Sequence, residues 1–201
     1  MTRRTLLCSA SAGSAILWPV TSWGAKTAND AAGNASLVTA ARKQVGLTTS
    51  YDTAYVVLKY PMGDVPEERG VCADVVIRAL RENGADLQQA VHEDMKAHFS
   101  AYPKTWGLKR TDRNIDHRRV LNLAVFFKRR GLARPITQDP ADYEAGDLVT
   151  CTVARKLPHI MIVSDRRNAA GVPLIIHNIG RGTREEDRLF EFPINGHFRW
   201  Q

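Results

Sequence analysis

Apolar residues recur at intervals of three and four along the first two thirds of the chain, as in helices that bury one face. The stretch from Cys72 onward differs, because its apolar residues wrap around most of the helix. It is predicted to be a buried helix that ends near Gly84. Three more helices are predicted, at residues 36–45 with Gly46 as the stop, at 86–98, and from a cap at Asn114 or Asp116 to Gly131.

From residue 142 onward, short β-branched runs separated by turn residues are typical of strands. A turn is predicted at residues 168–171. The predicted strands lie at residues 147–153, 160–164, 174–179, 190–194 and 197–200. Helices followed by consecutive antiparallel strands predict a single α+β domain, with the early helices packed on one side of a small sheet.

The first 25 residues have the pattern of a secretory signal peptide: a charged start, a moderately apolar run and small residues at its end. The pair Arg3 and Arg4 resembles the twin-arginine type of signal. We therefore expect a signal peptide at 1–25, a disordered lead-in at 26–35 and one domain at 36–201. The protein is expected to be exported to the periplasm, with no integral membrane segment after cleavage.

The formal net charge is +7, and loss of Arg3 and Arg4 with the signal peptide lowers it to +5. The basic residues are scattered along the chain and are matched by acidic runs such as 185–187. Because the sequence has no nucleic-acid binding motif, this charge favours work near an anionic cell-wall polymer and excludes nucleic acid as the expected partner. The oligomeric state stays open.

Cys72 is the candidate nucleophile because it lies at the predicted start of the buried helix. The positive end of a helix dipole and unpaired N–H groups favour the thiolate, which is the form that attacks a carbonyl carbon. Two alternatives stay open from the residues alone. Cys72 can be a small buried hydrophobe, or it can form a structural disulfide with Cys151 in an oxidising compartment.

Two histidines are candidates for the base that a cysteine nucleophile needs. His159 begins one apolar strand and His177 lies within the next. A hairpin of these strands places both on one face, where one can orient the other. No metal or cofactor is expected, since His92, Glu93 and His98 lack the spacing of a zinc-binding helix.

This order of one cysteine and two histidines resembles the NlpC-type cell-wall cysteine peptidases, which have a rearranged papain fold. Residues 159–163 (HIMIV) and 176–178 (IHN) are similar to the family's base strand and third-residue strand, whereas 71–75 (VCADV) departs from its Asp-Cys-Ser-Gly motif. The resemblance implies a papain-like fold and a Cys-His-His site. It also implies an upstream tyrosine that points into the site, which is Tyr60 here.

The other polar residues singled out near these motifs are candidates for oxyanion stabilisation or substrate binding. An arginine pair can bind a substrate carboxylate bidentately, or it can form a structural salt bridge. A carboxylate two residues after the thiol is favoured by the helix dipole but opposes thiolate formation. The candidates are Tyr60, Asp74, Asn178, Arg118 and Arg119.

A closer resemblance covers about residues 41–200 and is carried by YPMGDVP at 60–66, HEDM at 92–95, NIDHRR at 114–119 and HNIG at 177–180. These runs resemble an exported bacterial family known as domain of unknown function 1287. That resemblance implies no chemistry by itself.

We therefore expect an exported cysteine hydrolase that cleaves an amide or peptide bond through an acyl-enzyme, with peptidoglycan or another cell-wall peptide as substrate. An acyltransferase on the same fold is one alternative. A cell-wall binding or scaffold protein with a degenerate site is the other, favoured by the departures around Cys72.

Overall fold

A computed structural model describes residues 28–200 of the protein, with side chains from residue 33 on, so the predicted signal peptide lies outside the described residues. It contains four α-helices, α1 (Ala28–Lys43), α2 (Cys72–Glu82), α3 (Leu87–Ala97) and α4 (Val120–Arg129). The seven strands are β1 (Ser50–Tyr51), β2 (Arg69–Gly70), β3 (Leu148–Val153), β4 (Leu157–Arg167), β5 (Pro173–Asn178), β6 (Thr183–Glu186) and β7 (Ile194–Phe198). The predicted α+β class is confirmed, while the papain-like arrangement stays a prediction.

The main sheet has the order β6-β5-β4-β3-β7, and all its neighbours are antiparallel. Side chains alternate across the sheet, so Ile160, Ile162 and Ile176 pack against the helices on one face. Met161 and Ile175 point to the other face, where a second apolar cluster forms with loop residues. The sheet is thus covered on both sides, and α2 packs on the face of Ile160.

The short parallel pair β1·β2 holds the start of α2 against the sheet. Asn178, at the end of β5, donates its Nδ2 hydrogens to the carbonyl oxygens of Ser50 and Gly70, each at 3.1 Å. Gly70 lies two residues before Cys72. These bonds fix the thiol's position relative to β5.

The predicted helices at Cys72 and at 86–98 are confirmed. Gly46 and Gly84 both have a φ of +84°, the left-handed conformation in which glycine ends a helix. α1 begins at Ala28, so it takes in most of the segment expected as a disordered lead-in. Its alanine-rich sequence explains the difference, because alanine has the highest helix propensity.

The predicted cap of the fourth helix was wrong. Asp116 begins a single 3-10 turn (Asp116–Arg118), and α4 starts later, at Val120. The Asp116 carboxylate accepts the backbone N–H of Asp112 at 2.5 Å, so it stabilises the preceding loop instead of the helix.

The strand predicted at 190–194 was also wrong, and β6 was missed. The missed strand has the sequence TREE, which lacks apolar alternation, and lies at the edge of the sheet, where charged residues are common. No helix among the described residues is long and apolar enough to cross a membrane.

Candidate active site

Cys72 is the first residue of α2 and lines an open cleft of about 440 Å³. Only 3% of the residue is exposed. The backbone N–H groups of Ile160 and Ala73 and the Tyr51 hydroxyl lie beside its sulfur and favour its ionised form. The predicted helix-start cysteine is therefore in contact with both the helix terminus and strand β4.

Burial raises the pKa of the Cys72 thiol, and these three donors oppose this effect without overcoming it. The nearby negative charge of Asp74 acts in the same direction as burial. The thiol is therefore neutral at rest, which differs from the thiolate expected from the helix dipole alone. Desolvation outweighs the neighbouring donors at this depth.

His159, His177 and Glu186 form one hydrogen-bonded chain. His159 Nε2 lies 2.8 Å from His177 Nδ1, and His177 Nε2 lies 2.9 Å from Glu186 Oε2. The predicted pairing of the two histidines on one face is thus present, since all three side chains lie on the sheet face away from the helices.

The hydrogen bonds among His159, His177 and Glu186 fix which nitrogen atoms carry protons. Burial raises the pKa of Glu186, but hydrogen bonds from His177 and Arg188 lower it by more, so the carboxylate is ionised and can only accept. His177 must then carry its proton on Nε2 and accept at Nδ1 from His159 Nε2–H. The one unprotonated nitrogen left on His159 is Nδ1, which is the tautomer a general base requires.

Both imidazoles are neutral at rest. Burial, with a smaller contribution from His177, lowers the pKa of His159 to about 3. Burial also lowers the pKa of His177, and the Glu186 carboxylate only partly offsets that effect. The resting site therefore contains a thiol and an imidazole, not a thiolate-imidazolium pair.

The Cys72 sulfur lies beside the backbone N–H of Ile160, which is the residue that follows His159 in β4. Among the described residues, no hydrogen bond joins the thiol to the imidazole of His159, which bonds to His177. The His177 imidazole lines a second cavity, separate from the cleft of Cys72. The two histidines are therefore assembled with each other more closely than with the cysteine.

Tyr60 lies away from the cleft of Cys72. Its ring packs edge-on against His92, with centroids 5.5 Å apart, and does not line the cleft. Tyr51, in β1, takes the predicted position beside the thiol. The Tyr-Pro-Met-Gly run pointed to Tyr60, whereas the two-residue strand that carries Tyr51 has no distinctive pattern.

Asp74 is engaged by groups of the fold. Its carboxylate accepts the Val71 N–H at 2.6 Å, which caps α2, and it forms a two-point ion pair with Arg118 at 2.8 and 2.9 Å. Both side chains are only 3% exposed. The Arg118 guanidinium borders the cleft but is held by this pair.

Arg119 also lines the cleft, and its ion pair with Asp116 is longer than that of Arg118 with Asp74. Its guanidinium carbon lies 4.3 Å from the Trp106 ring centroid, and its Nη1 is 3.6 Å from Asp116 without a hydrogen bond. Stacking on an aromatic ring holds a guanidinium in place while leaving its N–H edge free. Of the predicted pair, Arg119 is thus the candidate for a substrate carboxylate. Asn178 holds β1 and β2 and is not in the cleft.

Cys72 and Cys151 are both free thiols, and Cys151 lies opposite His159 in the β3·β4 register. The disulfide alternative is therefore not present in this structure. Among the described residues, no group of three or more His, Cys, Asp or Glu side chains is arranged to hold a metal ion. Asp94, beside His92, is engaged by Arg129 and Tyr102.

Glu186 is the functional candidate that the sequence did not reveal. It lies in the acidic run at 185–187, which in the sequence indicates only that basic residues are balanced by acidic ones. Because β6 has no apolar alternation, no sequence signal placed Glu186 beside His177.

A family model described as "Domain of unknown function (DUF1287)" matches residues 38–200, and the chain belongs to this family. The chain is similar to "Uncharacterized protein YijF" of Escherichia coli (strain K12), with 54% identity over 167 residues that cover 83% of this chain and 82% of that protein. No solved structure matches the chain. The closer family resemblance is thus confirmed, and the resemblance to NlpC-type peptidases stays a prediction.

Proposed function

We propose that this member of the DUF1287 family is a cysteine hydrolase that cleaves an amide bond in a cell-wall peptide. The observation that carries the proposal is the Glu186–His177–His159 chain. It leaves an unprotonated Nδ1 on the residue next to the N–H that contacts the Cys72 sulfur. A nucleophile, a base with a fixed tautomer and a residue that orients the base are the parts that covalent amide hydrolysis needs.

In the proposed reaction, Cys72 Sγ attacks the amide carbonyl carbon and its proton passes to His159 Nδ1. The C–N bond then breaks, His159 returns the proton to the leaving amine, and a thioester remains on Cys72. Water, deprotonated by His159, attacks the thioester and releases the acid and the thiol. His177 and Glu186 hold the imidazole and stabilise the positive charge it gains in each step.

Burial of Cys72 and His159 determines their protonation states before the first step of the proposed reaction. Because the thiol and the imidazole are both neutral at rest, we infer that His159 takes the proton as the sulfur attacks, not beforehand. Because no hydrogen bond joins the thiol to His159 among the described residues, the proposed transfer also needs a movement that brings the imidazole and the sulfur into contact when substrate binds. The Tyr51 hydroxyl and the unpaired N–H groups of the first turn of α2 are the donors for the oxyanion.

The residues that line the cleft favour an acidic peptide as the substrate. It is walled by aromatic rings, among them Tyr55 and Trp106, and carries the Arg119 guanidinium at its edge. This combination suits a short peptide with a free carboxylate, and stem peptides of peptidoglycan have that chemistry. The basic charge of the chain and the predicted export signal favour the same polymer.

A second candidate is a cell-wall binding protein without turnover. It is favoured by the raised pKa of the Cys72 thiol and the lowered pKa of His159, both caused by burial, and by the lack of a hydrogen bond between them among the described residues. An acyltransferase, in which an amine replaces water in the second step, needs the same residues.

Digestion of purified peptidoglycan separates these functions. Wild type, Cys72→Ala and Cys151→Ala are incubated with the polymer, and soluble products are identified by mass spectrometry. We expect new amine and carboxyl ends from wild type and Cys151→Ala, and a loss of about a thousandfold or more in Cys72→Ala. Polymer binding with no product from any of the three contradicts the hydrolase and supports the binding protein. Products extended by an amine acceptor indicate the transferase.

A further inference from the structure

A second cavity, of about 590 Å³, lies on the sheet face away from the helices. His177 and Glu186 line it, so it borders the far end of the histidine chain, whereas Cys72 lines the other cleft. The proposed chemistry at Cys72 gives this cavity no role.

The wall of this cavity is positively charged. It carries three guanidinium groups, from Arg181, Arg184 and Arg188, against the single carboxylate of Glu186. Arg188 is held by Glu191, with one bond at 2.7 Å, and lies 3.5 Å from Glu186. In the part of the chain that the structure describes, the guanidinium groups of Arg181 and Arg184 have no hydrogen bond or ion pair, so the cavity has an uncompensated positive charge.

The loop that carries Arg181 is held in one conformation. Gly180 and Gly182 flank it with φ values of +127° and +81°, which favour glycine. A Cβ on Gly182 would lie 2.4 Å from the Thr48 carbonyl oxygen, so the loop runs tight against that backbone. The Thr183 N–H donates to the same oxygen at 2.8 Å. Arg181 is therefore presented by a fixed turn.

Arg184 points into the same cavity from β6, because it lies directly opposite His177 in the β5·β6 register. The rest of the wall is largely apolar, with Val153, Ile179 and Phe192. Apolar surroundings strengthen the attraction between a guanidinium and an oxyanion, and they favour a ligand with an apolar flank.

We propose that this cavity is a binding site for a carboxylate or phosphate group carried by a small ligand with an apolar flank. Arg181 and Arg184 bind the anionic oxygens, and Phe192 with Ile179 contacts the apolar part. The site goes beyond the proposed hydrolase and does not depend on turnover at Cys72.

Isothermal titration calorimetry on the full chain tests the site with three probes: inorganic phosphate, N-acetyl-alanyl-alanine and its C-terminal amide. We expect at least one of the two anions to bind, and the amide to bind tenfold or more weakly than the acid if the peptide is the ligand. The anion that binds identifies the ligand group. Arg184→Gln should weaken binding about tenfold, because it removes one charged donor pair.

Arg110→Gln is the matched control, because Arg110 is also exposed but lies outside the cavity. It should bind as wild type does. Cys72→Ala should retain binding even if no peptidoglycan is cleaved, which separates failure of this site from failure of the hydrolase. The proposal is overturned if neither anion binds to wild type, or if Arg184→Gln and Arg110→Gln bind equally well.

Discussion

Two buried polar networks flank Cys72, one at each side of the sheet. In the first, Asp74 and Arg118 satisfy each other at 2.8 and 2.9 Å on the helix side. In the second, Glu186, His177 and His159 form a chain on the opposite face that ends in a nitrogen with a free lone pair. The first network is closed on itself, and the second has an end at which a proton can be received.

This difference distinguishes charged groups that hold the fold together from groups that can take part in acid-base chemistry. An arginine beside a thiol suggests substrate binding, yet the Arg118 guanidinium is occupied by a carboxylate from the same helix as the thiol. A buried ion pair of this kind positions elements and adds little net stability, but removing one partner is costly. The Glu186–His177–His159 network has the arrangement that acid-base chemistry requires.

The largest expected effect on the fold is that of Arg118→Met, which leaves the Asp74 carboxylate buried without its partner. We expect the free energy of unfolding to fall by about 3–5 kcal/mol, measured by urea denaturation. The matched variant Arg69→Met should cost no more than about 1 kcal/mol, since both side chains of its ion pair with Asp52 are partly exposed, at 43% and 29%. Equal losses in the two variants would contradict the assignment of Arg118 to structure.

The next effect is that of Glu186→Gln on turnover. A glutamine can donate its amide hydrogen to His177 Nε2, which reverses the tautomers along the chain and places a proton on His159 Nδ1. We expect peptide release to fall by about 100-fold or more with little change in melting temperature. Asp187→Asn removes the neighbouring exposed carboxylate and should leave the rate unchanged. Similar rates in both variants would remove Glu186 from the proposed mechanism.

The smallest effect concerns the pH dependence of Cys72 alkylation by iodoacetamide. Burial disfavours charged forms, so it raises the pKa of the thiol and lowers that of His159 to about 3. The alkylation rate, followed by mass spectrometry in the Cys151→Ala background, should therefore keep rising above pH 9, the ordinary pKa of a thiol. A plateau of fast alkylation between pH 5 and pH 8 would instead indicate a thiolate-imidazolium pair and contradict the neutral resting site.

Local patterns predicted the elements that carry the candidate site. The broad apolar pattern after Cys72 predicted a buried helix with the cysteine at its start, and the two apolar runs around a turn predicted the hairpin that pairs His159 with His177. Those inferences depend on residues close together in sequence. β6 was missed because an edge strand with exposed charges has no apolar periodicity to detect.

The sequence by itself determined the buried helix that begins at Cys72 and the hairpin that carries His159 and His177, because burial leaves a period of 3.6 or 2 in the order of the residues. Only the tertiary structure decided which polar groups meet. It paired Asp74 with Arg118, which are 44 residues apart, placed Tyr51 instead of Tyr60 at the thiol, and added Glu186 to the histidines. A polar side chain has the same sequence signature whether it faces water or a distant partner, so the packing of α2 and β6 against the central strands made that choice.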